Sequence, residues 1–187
     1  GGASGENASN IEVIEKYDMQ ISKDVLTSYR FTHAKNPIMF VNITGNTSLG
    51  VITASVEVLK DTSTLVNIPP AGLVYMNANI WVGTTSYATP KNIKEALIKI
   101  RVNNGWMSTN GVSASDIVME KWDGTSWIML ETIVLSKDDV NSFFEGKTNS
   151  FSPFAIVAKT ASEPKPTVTT TAQAATPEIT ETAIAIP

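Results

Sequence analysis

Between residues 93 and 102 the chain sets Ala96, Ile98, Ile100 and Val102 on one parity and Glu95, Lys99 and Arg101 on the other. A period of two turns the apolar side chains to one side of an extended strand, whereas a helix would scatter them around its axis. The same signature recurs along the chain. Ile11, Val13, Tyr17, Met19 and Ile21 alternate with Glu12, Lys16, Asp18 and Gln20. After a turn at Ser22-Lys23-Asp24, Val25, Thr27, Tyr29 and Phe31 resume it, and Ile52, Ala54, Val56 and Val58 oppose Thr53, Ser55 and Glu57. Such repetition predicts strands with one buried and one wet face.

Between these runs stand the residues that end strands. Pro37 precedes Ile38-Met39-Phe40-Val41-Asn42-Ile43, which stops at Gly45-Asn46, and Pro69-Pro70 with Gly72 mark a loop over 61–72. Val74-Tyr75 and 78–82 supply further β-rich residues up to Gly83, and Pro90-Lys91-Asn92 opens the run described first. The segment Ser113-Ala114-Ser115-Asp116 predicts one short helical turn. Residues 117–122 and 127–130 flank Asp123-Gly124-Thr125-Ser126, the pattern of a hairpin about an Asp-Gly turn. Residues 141–145 form one more strand, Gly146-Lys147-Thr148-Asn149 turns, and residues 154–158, entered through Ser152-Pro153, close the domain. Many short strands without an intervening helical period predict an all-β, immunoglobulin-like antiparallel β-sandwich.

The organisation follows: a polar leader at 1–9, the sandwich at 10–159, and a tail at 160–187. The tail is an extended Thr/Pro-rich C-terminal spacer that buries too little apolar surface to order itself. Its last part carries Ile179, Ile184 and Ile186 in a β-rich stretch, with Ile184 and Ile186 on one face of an extended chain. Such a segment is suited to adding as a strand to an exposed sheet edge of its own or a neighbouring subunit.

Charge and composition exclude several classes. Fourteen Lys plus Arg against eighteen Asp plus Glu give a net charge of −4 without a basic cluster, which argues against nucleic acid as a partner. Without cysteine the chain has no disulfide, thiolate metal site or cysteine nucleophile. No apolar run is long enough for a transmembrane segment, and residues 1–5 have no signal-peptide pattern.

Few residues offer chemistry. His33 is the only histidine, so any Ser-His-Asp arrangement would pass through it, and the sequence reads instead as an exposed loop histidine in a protein without catalytic residues. Asp138-Asp139 with Asn141 is rich in oxygen and could help hold Ca2+, but it lacks the spacing of an EF-hand loop; a solvated turn and no cofactor are expected. Trp81, Trp106, Trp122 and Trp127 would make a sugar platform if coplanar and exposed; otherwise they pack and pair across strands.

Several stretches, taken in order, resemble the PGF-pre-PGF domain of archaeal cell-surface proteins, found in secreted proteins of methanogens. They are Asn36-Pro37-Ile38 into Val41-Asn42-Ile43, Val56-Glu57-Val58-Leu59-Lys60, Asn79-Ile80-Trp81-Val82-Gly83 and Ala88-Thr89-Pro90-Lys91-Asn92-Ile93. Trp106, Lys121-Trp122-Asp123-Gly124 with Trp127, and Phe151-Ser152-Pro153-Phe154-Ala155-Ile156 complete the series, which spans roughly residues 29–158. No Pro-Gly-Phe sorting motif of that family lies within residues 1–187.

The resemblance implies a non-enzymatic, extracellular structural protein of an archaeal cell envelope, surface-layer-associated or filament-forming. Its expected partners are copies of itself and other envelope proteins, and the alternative is a carbohydrate-binding or adhesion module using the tryptophans. An extracellular location gives meaning to the glycosylation sequons at Asn7, Asn42 and Asn46. Asn46, after Gly45 in a turn, is the best acceptor; Asn42 follows if its strand leaves that face wet.

Overall fold

The computed structural model describes residues 5–84 and 86–159. A 3-10 turn, Ala8–Asn10, leads into β1 (Ile11–Ile21), β2 (Leu26–Arg30), β3 (Ile38–Gly45), β4 (Gly50–Leu59), β5 (Leu73–Val82) and β6 (Ile93–Asn103). A single helical turn, α1 (Asn104–Thr109), and a 3-10 turn (Ala114–Asp116) come next. The chain then forms β7 (Ile117–Trp122), β8 (Trp127–Met129), β9 (Thr132–Lys137), β10 (Asn141–Thr148) and β11 (Pro153–Ala158). The strands make two antiparallel sheets, β1-β4-β5-β11-β7-β8 and β2-β3-β6-β10-β9. The expected all-β antiparallel sandwich is therefore present, with eleven strands among the described residues. No helix among those residues is long and apolar enough to cross a membrane.

The core lies where the alternation placed it. Ala96, Ile98, Ile100 and Val102 of β6 are fully buried against Val56 and Ile80 of the first sheet, with Tyr29, Val41, Ile43, Phe144 and Phe154 completing the layer. Each buried Val, Ile or Phe side chain here contributes about 1.5–3 kcal/mol. The hairpin at Asp123-Gly124 forms as expected, with Gly124 at φ 108° and the Asp123 carboxylate accepting the Thr125 and Ser126 amides at 2.8 Å. The predicted turn at Ser113 is closed by Asp116, whose Oδ2 accepts the Ser113 amide at 2.9 Å.

Val74-Tyr75 and residues 78–82 belong to one strand, β5, which stops before Gly83. Three local readings change. β10 runs on through Gly146 to Thr148 instead of turning at Gly146, where a Cβ would come within 2.6 Å of the Met119 sulfur, so the methionine packs directly over the glycine. α1 was unforeseen; its cap is Asn103, whose Oδ1 accepts the Trp106 amide at 2.9 Å. β9 was also missed, because Ile133, Val134 and Leu135 form a run without alternation.

The largest departure concerns the outer face of the first sheet, where Ser55, Glu57, Asn77, Asn79 and Glu120 point away from the core yet are buried. Loop 61–72 and the leader roof this face. The Trp127 indole N–H donates to the Ile68 carbonyl at 2.8 Å, and Ser63 and Thr64 bond to Glu6. Beneath the roof, Val118, Ala155 and Val157 form a second apolar cluster with Val74, Trp127 and Met129. Three layers thus stand where two were expected.

Candidate functional site

Under that roof, polar side chains collect at two places. At the first, the Glu6 carboxylate accepts from Ser63 Oγ (2.6 Å), Thr64 Oγ1 (2.8 Å), Asn79 Nδ2 (2.9 Å), Asn10 Nδ2 (3.1 Å) and the Thr64 amide (3.1 Å). Burial by itself pushes this carboxyl up, but the hydrogen bonds together outweigh it and bring it down to about 2. Asn79 spends its second amide hydrogen on Glu57 Oε2 at 3.0 Å, which also receives the Trp81 indole N–H at 3.4 Å. Donors surround both carboxylates, so this cluster fastens leader and loop to the sheet.

The second place is chemically different. Lys159, directly after β11, extends back over the sheet to Glu120 of β7, with Nζ 2.6 Å from Oε1. Both side chains are almost wholly enclosed, at 6% and 3% exposure. Nζ also donates to the Ala71 carbonyl of the roof at 3.3 Å. The other carboxylate oxygen, Glu120 Oε2, is buried without a partner, and so is Oδ1 of Asn77 on β5. Asn77 and Glu120 flank the same residue, since Ala155 of β11 pairs with Asn77 on one side and Glu120 on the other. An enclosed amine, a carboxylate and a carboxamide thus share one face of three adjacent strands.

At one end of the sandwich opens a cleft of about 820 Å³, lined in part by Glu12, Lys35, Lys60, Tyr75, Asn77 and Arg101. Its charges are already engaged by the protein. Lys35 pairs with Glu12, Lys60 Nζ donates to the Ser9 carbonyl at 2.9 Å, and Arg101 Nη2 donates to the carbonyls of His33, Ala34 and Asn36 at 3.0–3.2 Å.

Of the described residues singled out from sequence, Trp81 bonds within the Glu6–Glu57 cluster, the Asn7 amide donates to Glu6 Oε1 at 3.2 Å, Trp127 packs under the roof and Asn141 lines the cleft. His33 sits in an exposed loop, where its backbone N–H donates to Glu15 Oε1 at 3.1 Å and its Nδ1 accepts the Lys35 amide at 3.2 Å. Asp138 caps the turn between β9 and β10: its Oδ1 accepts the Asn141 and Val140 amides at 2.7 and 2.8 Å, bonds that hold its carboxyl below the ordinary range. No group of three or more acidic, His or Cys side chains is placed to hold a metal ion among the described residues.

The tryptophans form no shared flat array. Trp122 is buried and meets half-buried Trp127 edge to face at 5.6 Å, while Trp106 does the same with Tyr75 at 4.8 Å and Trp81 bonds to Glu57. Of the sequons, Asn7 and Asn46 are exposed. Asn42 is 7% exposed, its Oδ1 accepting Ser28 Oγ, on an outward face where Phe40 and Thr44 are half-buried and Ser28 is exposed. Ile179, Ile184 and Ile186 lie outside the described residues.

No family model, curated protein or solved structure matches the chain significantly. Sequence reasoning missed the Lys159–Glu120–Asn77 group because each residue reads as an outward polar position on its strand. The available signal was Ala155-Ile156-Val157-Ala158, an apolar run without alternation, which marks a strand covered on both faces.

Proposed function

We propose that the protein is a non-enzymatic, extracellular structural subunit of an archaeal cell envelope, surface-layer-associated or filament-forming, that joins its neighbours through sheet edges. The carrying observation is β9. It is the edge of the second sheet, and its consecutive residues Ile133, Val134 and Leu135 are 43%, 53% and 42% exposed. In a strand with one covered face every second residue would be buried, so neither face of β9 is covered. An apolar edge with unpaired backbone groups is a template for an added strand. The resemblance over residues 29–158 supports the same reading, and the β-rich stretch around Ile179, Ile184 and Ile186 supplies a strand to donate. Donation to the next subunit does not close on itself and propagates as a fibre.

Negative-stain microscopy of native material tests this. Filaments or a lattice are expected, and deleting residues 178–187 should abolish them while leaving the sandwich folded. Protein that stays monomeric at every concentration would overturn the proposal.

A further inference from the structure

We propose that Lys159 and Asn77 are joined by a side-chain amide bond, formed by the protein itself with Glu120 as the proton carrier. The inference rests on the roofed face of the first sheet and stands independently of where the protein resides or what it assembles with.

A Lys–Glu pair enclosed to this degree is costly unless its remaining lone pairs are satisfied. Here they are not. Glu120 Oε2 and Asn77 Oδ1 are two buried acceptors without donors, on residues that oppose Ala155 from either side. Adjacent strands lie about 4.8 Å apart, so only a methyl group separates two backbones roughly 10 Å from each other. One proton on Glu120 Oε2 would serve both oxygens, and the nearest source is the Lys159 ammonium, 2.6 Å from the other oxygen of that carboxylate. Moving it there removes two charges from a site shielded from water and leaves a neutral amine, the nucleophilic form of lysine.

The reaction balances without an added reagent. The carboxylic acid of Glu120 donates to Asn77 Oδ1 and polarises the carboxamide carbon. The lone pair of Lys159 Nζ attacks Cγ and forms the new C–N bond. Glu120 takes a proton from Nζ and delivers one to Nδ2, the Cγ–Nδ2 bond breaks, and ammonia departs. No electron acceptor is involved: amine plus carboxamide give secondary amide plus ammonia. Asn77 also lines the open cleft, which gives the leaving group a way out.

The bond would tie β5 to the residue that directly follows β11 and precedes the tail. A pull on the tail would then pass to the centre of the sheet through a covalent link, without unzipping β11 first.

Intact-mass measurement of the purified, folded protein tests the proposal. The expected mass is the sequence mass less one ammonia, with proteolysis yielding a branched peptide that joins the segment containing Asn77 to the one ending in Lys159. Glu120→Gln should restore the full sequence mass in folded protein. Asn77→Asp should lose water instead of ammonia and give a product of the same mass as the parent. The proposal is overturned by folded parent protein at full sequence mass, by a deficit confined to an unbranched peptide such as a cyclised Asn110-Gly111, or by a deficit that survives in Glu120→Gln.

Discussion

The Tyr29 hydroxyl donates to the Ile52 carbonyl at 2.7 Å, and this one bond crosses from β2 in the second sheet to β4 in the first. Tyr29 is fully buried and Ile52 half-buried, so water has little access to the bond. Tyr29→Phe should cost about 1–2 kcal/mol, the expense of removing the donor from a largely enclosed carbonyl. Burial first, then Tyr87 and Asp18, raises this phenol above its ordinary value of 10.0. A folded-state pKa raised above the unfolded one gives stability that is complete below the unfolded value and lost as pH rises beyond it. Urea melts of both proteins from neutral pH to above 10 are expected to converge at the alkaline end; parallel curves would show that Tyr29 is not the titrating group.

Glu6 works in the opposite direction. Its carboxyl falls from 4.5 to about 2, so its contribution is present above 4.5 and disappears as the pH drops toward about 2. The loss should be local. The protection of the Thr64 amide, whose N–H Glu6 accepts, measured against the intrinsic exchange rate at each pH, should fall across that window before that of the core amides follows. Glu6→Gln should give fast exchange at Thr64 already at neutral pH and cost about 1–2 kcal/mol.

Gly45, where β3 ends, has no room for a methyl group: a Cβ would lie 2.8 Å from the Ser22 carbonyl, 2.9 Å from the Thr47 carbonyl and 2.8 Å from Ile21. Two of these neighbours are backbone and cannot swing aside. Gly45→Ala is expected to cost about 1–3 kcal/mol or more by overpacking. Gly146→Ala should be milder, because it meets the end of a flexible methionine. Thermal denaturation of the two variants gives the order, and a less stable Gly146→Ala protein would contradict it.

At the β9 edge, Val134→Lys should leave stability within about 0.5 kcal/mol of the parent, since the residue is exposed. A charge there disfavours strand addition. Sedimentation velocity should show assembly weakened and the monomer fold retained; unchanged assembly would remove β9 from the interface.

The sequence was most legible where each strand has one wet face. Ala96, Ile98, Ile100 and Val102 point inward as their parity requires, and the Asp123-Gly124 hairpin and the Ser113 turn lie where their capping residues indicate. Reading failed under the roof. Ser55, Glu57 and Glu120 alternate with apolar neighbours as solvent-facing residues do, and nothing in their spacing reveals that loop 61–72 folds back over them. Burial there is a tertiary event, made by Glu6 gripping Ser63 and Thr64 across 57 and 58 residues of chain. Parity misled in the other direction at β1, where Tyr17 and Met19 read as inward but are 38% exposed along a sheet edge. The candidate site was hidden for the first of these reasons.

β11 is the last strand in the described chain, yet it lies inside its sheet, between β5 and β7. A nascent chain stopped short of Phe151 would hold β1-β4-β5 and β7-β8 as two separate ribbons with the seam between them open. Residues 153–158 must enter that seam before either ribbon acquires its full set of neighbours. Most of the contacts that define the domain are long-range in sequence, a topology that slows folding, and those that join the two ribbons of the first sheet come last in synthesis. Until its closing strand leaves the ribosome, this polypeptide stays incomplete, and translation sets the earliest moment at which it can become a protein.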